Sequence, residues 1–126
     1  MSEPRPKVLH YDDDATVAVI VEQTLRLWGM ETLTVDSPAA VRAAAGEPWD
    51  LFLASLGQGE IGGLRLCQEL RREGCRKPFI VLSSRTLTAD ERRVMEEVDA
   101  GLIVKPFGPG ELIHRVRQAI AEESWH

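Results

Sequence analysis

Five times along the chain a short apolar run gives way to a longer segment with apolar residues at helical spacing, and that alternation leaves few folds open. Residues 8–11, Val-Leu-His-Tyr, read as a strand that stops at three aspartates. Over 15–28, Val17, Ile20, Val21, Leu25 and Trp28 recur at helical spacing, with Asp14 as N-cap and Gly29 just past the end. Residues 32–35 are rich in β-branched side chains and read as a strand. Ser37 and Pro38 open an alanine-rich helix that Gly46 should close. The near-continuous apolar run 50–56 fits a strand buried on both faces. A glycine-rich loop, 57–63, leads to a helix over 64–72 that ends near Gly74. Residues 78–82 give a fourth strand, running into Ser83 and Ser84. A polar helix follows over 88–98, then a short strand over 101–104 and an amphipathic helix over 111–121.

Strand and helix in strict alternation imply a parallel sheet with helices on both faces, because a parallel pair needs a crossover connection. Five such units predict an α/β, flavodoxin-like, doubly wound sheet in the order 2-1-3-4-5. At 126 residues the chain has room for one domain, 1–126, with a core over about 7–121. In such sheets a ligand site lies outside the carboxyl ends of the strands, at the switch point between the first and third.

Composition narrows the function. With 44% hydrophobic and 28% charged residues the chain can build a core. A net charge of -5 argues against nucleic acid or an anionic membrane as the main partner. No apolar stretch approaches the roughly 20 residues of a membrane span. The first residues lack the apolar segment of a secretion signal, so a cytoplasmic location is expected. Cys67 and Cys75 are not at metal or redox spacing and read as reduced thiols, one in the core and one in a turn.

The predicted strand ends carry the chemistry. Asp12, Asp13 and Asp14 follow the first strand, Ser55 the third, Ser83 and Ser84 the fourth, and Lys105 the fifth. Adjacent carboxylates repel unless a cation intervenes, and hard oxygens suit Mg²⁺. An ammonium suits a phosphoryl oxygen. Asp14 is assigned to the helix cap, Asp12 and Asp13 to the site. His10 is expected to pack inside its strand, and His114 to lie on a polar helix face.

These motifs, Val8-Leu9-His10-Tyr11-Asp12-Asp13-Asp14, Leu82-Ser83-Ser84 and Lys105-Pro106-Phe107, resemble the receiver domain of bacterial two-component response regulators, in that family's order and approximate spacing. The resemblance runs from Lys7 to about Ala121. It implies Mg²⁺ held by Asp12, Asp13 and the main-chain carbonyl of Gly57. It implies phosphoryl contacts from Ser83 and Lys105. It places the phosphoacceptor at residue 55, where the family carries aspartate and this chain carries serine. Gly59 stands where a proline is usual, Gly63 matches a family glycine, and Leu102 takes the place of an aromatic switch residue. Neither Asp50, at the wrong end of its strand, nor Glu60 is well placed to substitute for the missing acid.

A serine hydroxyl is a weak nucleophile that needs a base. The expectation is therefore a non-enzymatic receiver, independent of phosphorylation, with Mg²⁺ weak or vestigial. With no output domain after the last helix, it would stand alone and act through a histidine kinase or output protein. The resemblance puts that contact on the fourth helix, fifth strand and fifth helix, fixed in one state because Leu102 lacks a switching ring. One competing reading is a conventional Mg²⁺-dependent phosphoacceptor. Another is a small nucleotide-binding domain built on Gly57-x-Gly59-x-x-Gly62, although the acidic residue expected about 20 further on is absent.

Overall fold

A computed structural model of the chain describes residues 5–56 and 62–124. Strands and helices alternate as β1 (Lys7–Tyr11), α1 (Ala15–Leu27), β2 (Glu31–Val35), α2 (Pro38–Ala44), β3 (Leu51–Ser55), α3 (Gly63–Arg72), β4 (Phe79–Ser83), α4 (Ala89–Val98), β5 (Gly101–Val104) and α5 (Pro109–Ser124). The five strands are all parallel, in the order β2-β1-β3-β4-β5. From β1 the sheet grows one way to β2 and the other way to β3, so the carboxyl ends of β1 and β3 flank the switch point.

Strand parity decides which face each residue covers. Val8, Leu51, Leu53, Ile80, Leu82 and Ile103 pack under α1 and α5, against Val21, Leu25, Leu112 and Val116. Leu9, Tyr11, Phe52, Ala54, Phe79 and Val81 pack on the other side, with Val41 of α2, Cys67 and Leu70 of α3, and Met95 and Val98 of α4. Phe52 and Phe79 stack at 5.8 Å between centroids. All ten residues of β3 and β4 are buried, as near-continuous apolar runs in a central parallel strand require.

Local signals set most boundaries. Asp14 caps α1 by accepting from the amides of Thr16 and Val17, and Ser37 caps α2 through Ala40. Gly29 and Gly74 take the positive φ that ends α1 and α3. Helix α2 ends at Ala44 with Ala45 as its C-cap and Gly46 next, as expected, although Gly46 does not take the positive φ of Gly29 and Gly74. The Ala44 carbonyl accepts from the Trp49 indole at 2.7 Å. Helix α5 runs from Pro109 to Ser124, beyond the 111–121 expected, because a proline at the start of a helix gives up a donor that has no partner there.

Gly63 opens α3 directly behind the end of β3. A Cβ there would sit 2.6 Å from the Ser55 carbonyl oxygen and 2.9 Å from the Ala54 Cβ. A Cβ on Gly62 would collide with the Leu56 carbonyl. Backbone is what stands in the way, so β3 must shift to admit a side chain. We expect Gly63→Ala to destabilise the fold by roughly 1–3 kcal/mol, an overpacking cost measurable by urea denaturation. An unchanged midpoint would show that α3 can slide away from β3 freely.

Candidate functional site

Three polar side chains converge where β1, β3 and β5 end. Asp12 is 2% exposed. Its amide donates to the Val35 carbonyl at 3.2 Å, extending the β1–β2 ladder by one residue. Its Oδ1 accepts from the Asp14 amide at 2.9 Å. Its Oδ2 lies 3.5 Å from Lys105 Nζ and has no hydrogen-bond partner. Lys105 is held by its own amide, which donates to the Ser83 carbonyl at 2.7 Å beside a cis Lys105–Pro106 bond. From there its ammonium also reaches Ser55 Oγ at 3.5 Å. Ser55, the last residue of β3, is 4% exposed. One cation thus bridges a buried carboxylate and a buried hydroxyl.

Burial dominates the electrostatics. It pushes the Asp12 carboxyl up, and only part of that is offset by the Asp14 amide and Lys105. His10, two residues earlier on β1, is fully buried with Nε2 unpartnered and Nδ1 3.4 Å from Thr34 Oγ1. Burial first, and Lys105 second, lower its pKa to about 4. It is a packed, neutral ring, as expected for a histidine inside a strand. Asp13 is exposed at the rim, so the two acids differ in setting although they are adjacent.

The other expected residues separate. Ser83 is buried, but its hydroxyl donates to the Arg85 carbonyl at 2.6 Å and accepts from the Arg85 amide at 3.2 Å. That pair of bonds commits it to the β4–α4 loop. Ser84 is exposed. Asp50 accepts from the Lys7 amide at 2.7 Å at the opposite end of the sheet, which accounts for it structurally. Gly57, Gly59 and Glu60 lie outside the described residues, so the proposed carbonyl ligand and most of the glycine fingerprint do too. Among the described residues no group of three His, Cys, Asp or Glu side chains could enclose a metal.

Arg85 and Glu91 complete a network that the strand-end argument passes over. Arg85 makes a bidentate pair with Glu91, 2.8 Å on each arm. Glu91 in turn accepts from the Thr88 amide at 2.8 Å, while Thr88 Oγ1 accepts from the Glu91 amide at 3.1 Å. The readable signal is the capping box Thr88-x-x-Glu91. Arg85 holds the Glu91 carboxyl down, to about 2. A closed chain therefore runs from Ser83 through Arg85 to the start of α4. We expect Glu91→Gln to lower stability by roughly 1 kcal/mol and to raise amide exchange across 84–91 about fivefold. Exchange unchanged there would show that the loop does not depend on the ion pair.

A doubly wound parallel sheet that gathers an aspartate, a hydroxyl and a lysine at the carboxyl ends of β1, β3 and β5 defines the signal-receiving class of α/β domains. The chain belongs to the response regulator receiver domain family, whose sequence profile matches residues 8–117. It is 33% identical to the DNA-binding response regulator MtrA of Mycobacterium tuberculosis, over 93% of this chain and 51% of that protein. It is 34% identical to the transcriptional regulatory protein PrrA of the same species, over 89% of this chain and 48% of that protein. The chain thus spans about half the length of the curated relatives it matches. The Vibrio cholerae chemotaxis protein CheY4 superposes with a TM-score of 0.82 at 23% identity, covering 92% of this chain and 99% of that one, a likeness of fold. The chain is a response-regulator receiver domain of two-component signalling. Receiver domains generally bind Mg²⁺ at the phosphorylation site and interact with histidine kinases and output domains. None of the described helices is long and apolar enough to cross a membrane.

Proposed function

We propose that this receiver signals by protein–protein contact without accepting a phosphoryl group at residue 55, and that it catalyses no reaction. The observation that carries this reading is the setting of Ser55 Oγ: its polar neighbour is the Lys105 ammonium at 3.5 Å, with no carboxylate in hydrogen-bond reach among the described residues. An ammonium donates and cannot take the proton that a serine must lose before attacking phosphorus. Asp12 is the nearest alternative base. One of its oxygens is engaged by the Asp14 amide, and the other faces Lys105.

Mg²⁺ fits the remaining donors in part. Asp12 Oδ2 is a buried acceptor without a hydrogen bond, and Asp13 is adjacent. These two carboxylates would hold the ion, and bound there it would neutralise their mutual repulsion. Two carboxylates are within what Mg²⁺ accepts, but such sites lean on substrate phosphate for the rest. Affinity is therefore weak.

Output runs through a histidine kinase or output protein at the face made by α4, β5 and α5. Leu102 is half-buried against the α3–α4 side of the core, and Val104 is 52% exposed beside it. The Ser83–Arg85–Glu91–Thr88 chain supports a single fixed arrangement of this face, since the Ser83 hydroxyl is already committed to the loop. The deciding experiment is intact-protein mass spectrometry after incubation with acetyl phosphate and Mg²⁺. We expect no phosphoryl adduct, hydroxylamine-labile or stable; a stable one would mean that Ser55 itself accepts the group and would overturn the proposal. A labile adduct on the wild-type chain would mean that another carboxylate accepts the group, and would return it to the conventional phosphoacceptor receivers.

A further inference from the structure

At the opposite end of the sheet from Asp12 and Ser55, a cleft of about 430 Å³ opens below the first residues of β4 and β5. Its volume falls within the range of small-molecule sites. The floor is Pro78, Phe79 and Ile80 of the β4 entry, and one wall is α5. Arg71 builds the frame. Its guanidinium donates to the carbonyls of Val98, Cys75 and Lys77 at 2.8, 3.1 and 2.6 Å, tying the end of α3 to the entries of β4 and β5. Arg71 is thus largely committed to the frame.

Arg115 and Arg76 line the same cleft and differ from the arginines that pair with acids. Arg26, Arg42, Arg65, Arg85 and Arg93 each lie against a carboxylate. Arg115 is half-buried, and among the described residues neither it nor Arg76 makes an ion pair or a side-chain hydrogen bond. A guanidinium drawn partly out of water with five donors and no protein acceptor is an unusual arrangement in a chain of net charge -5. Gly101 keeps it accessible. A Cβ there would lie 3.4 Å from Ile80 Cγ1 and 3.5 Å from the Arg115 Nη2. A larger side chain would fill the space between floor and guanidinium.

We propose that this cleft binds a nucleoside monophosphate, with its phosphate on Arg115 and Arg76. A planar fork matches phosphate oxygens in pairs, which favours phosphate over a diffuse anion. The cleft is also lined by Gln118, Asp99 and Glu122. The two acids accept hydrogen bonds from sugar hydroxyls or base amino groups and repel a second or third phosphate. The half-buried Pro78 and Ala119 offer apolar surface to the flat face of a base. Two unpaired cations against two acids thus select one phosphate on a polar body, and reject polyphosphates and nucleic acid.

The test is titration of the ¹⁵N-labelled full chain with AMP, GMP, CMP and UMP, with adenosine, inorganic phosphate and ATP as separate arms. We expect at least one monophosphate to shift the amides of Ala100, Gly101 and Gln118 saturably, more tightly than adenosine, phosphate or ATP. Arg115→Met should weaken that affinity at least tenfold, with Arg115→Lys intermediate. Gly101→Val should block the cleft, and circular dichroism of each variant separates loss of binding from loss of fold. No saturable shift at millimolar concentration with any monophosphate overturns the proposal. So does an equal response to inorganic phosphate, which would mark an adventitious ion only, or a response that persists in a folded Arg115→Met.

Discussion

A Ser55→Asp protein incubated with acetyl phosphate and Mg²⁺ is expected to gain one hydroxylamine-labile phosphoryl group, where the wild type gains none. The new carboxylate is ionised at neutral pH and needs no base, whereas the hydroxyl lacks the general-base assistance that contributes typically 10²–10⁴-fold. We therefore expect an increase of about 10²-fold or more in the rate of transfer. The rest of the pocket supports it: Lys105 Nζ already stands within 3.5 Å of both residue 55 and Asp12. Phosphoryl transfer depends mainly on such positioning and charge neutralisation. The same substitution sets a third acid beside Asp12 and Asp13 against one lysine. The variant should melt lower than wild type in EDTA and recover with Mg²⁺, since like charges in one site are relieved by a cation. Calorimetric titration should show tighter Mg²⁺ binding than in wild type. If Ser55→Asp folds, binds Mg²⁺ and still takes no phosphoryl group, the obstacle lies elsewhere. The committed Ser83 hydroxyl is then the first place to look, with Glu91→Gln added to release its loop.

The order of strands and the two-faced layering were legible because parallel strands announce themselves twice, through continuous apolar runs and through the helices between them. Leu51 to Leu56 and Phe79 to Leu82 could hardly be anything but central strands. Polar residues stopping those runs mark the strand ends, and so the sequence alone brings Asp12, Ser55 and Lys105 together. What composition and spacing could not convey was direction at the level of a single side chain. Ser83 sits where a phosphoryl contact belongs, yet its hydroxyl is turned by Arg85, a residue two positions on whose own orientation depends on Glu91. Asp12 and Asp13 read as equivalent, but one is the last ladder residue of β1 and buried, while the next points out. At the end of α2 Gly46 follows the C-cap as expected, but the Trp49 indole that reaches back five residues to the Ala44 carbonyl has no counterpart in the spacing. Each of these depends on one hydrogen bond between residues whose periodicity carries no record of it.

His10 should make the fold sensitive to acid. Its ring is fully buried, and burial with the nearby Lys105 ammonium keeps it neutral, with a pKa of about 4 against an ordinary 6.5. The unfolded chain therefore binds a proton in this window that the folded chain refuses. Stability rises with pH between about 4 and 6.5, and its contribution is lost as pH falls through that range. At 1.36 kcal/mol for each unit, the loss approaches roughly 3 kcal/mol once pH reaches the folded-state value. Asp12 works in the opposite sense: its raised carboxyl takes a proton in the folded state first, which favours folding on acidification. The comparison must therefore isolate the histidine. We expect His10→Leu to unfold within about 1.5 kcal/mol of wild type at pH 7, since a hydrophobic side chain of similar size fills the same space. The replaced ring makes only a 3.4 Å contact to Thr34 and leaves Nε2 unpartnered, so little hydrogen bonding is lost. Between pH 6.5 and 4 the two proteins should diverge, the difference moving by roughly 3 kcal/mol in favour of the leucine variant by the acid end. Urea denaturation at half-unit intervals of pH measures this directly. Parallel curves across the whole range would show that His10 accepts its proton without cost, and that its pocket opens to water more readily than its burial implies.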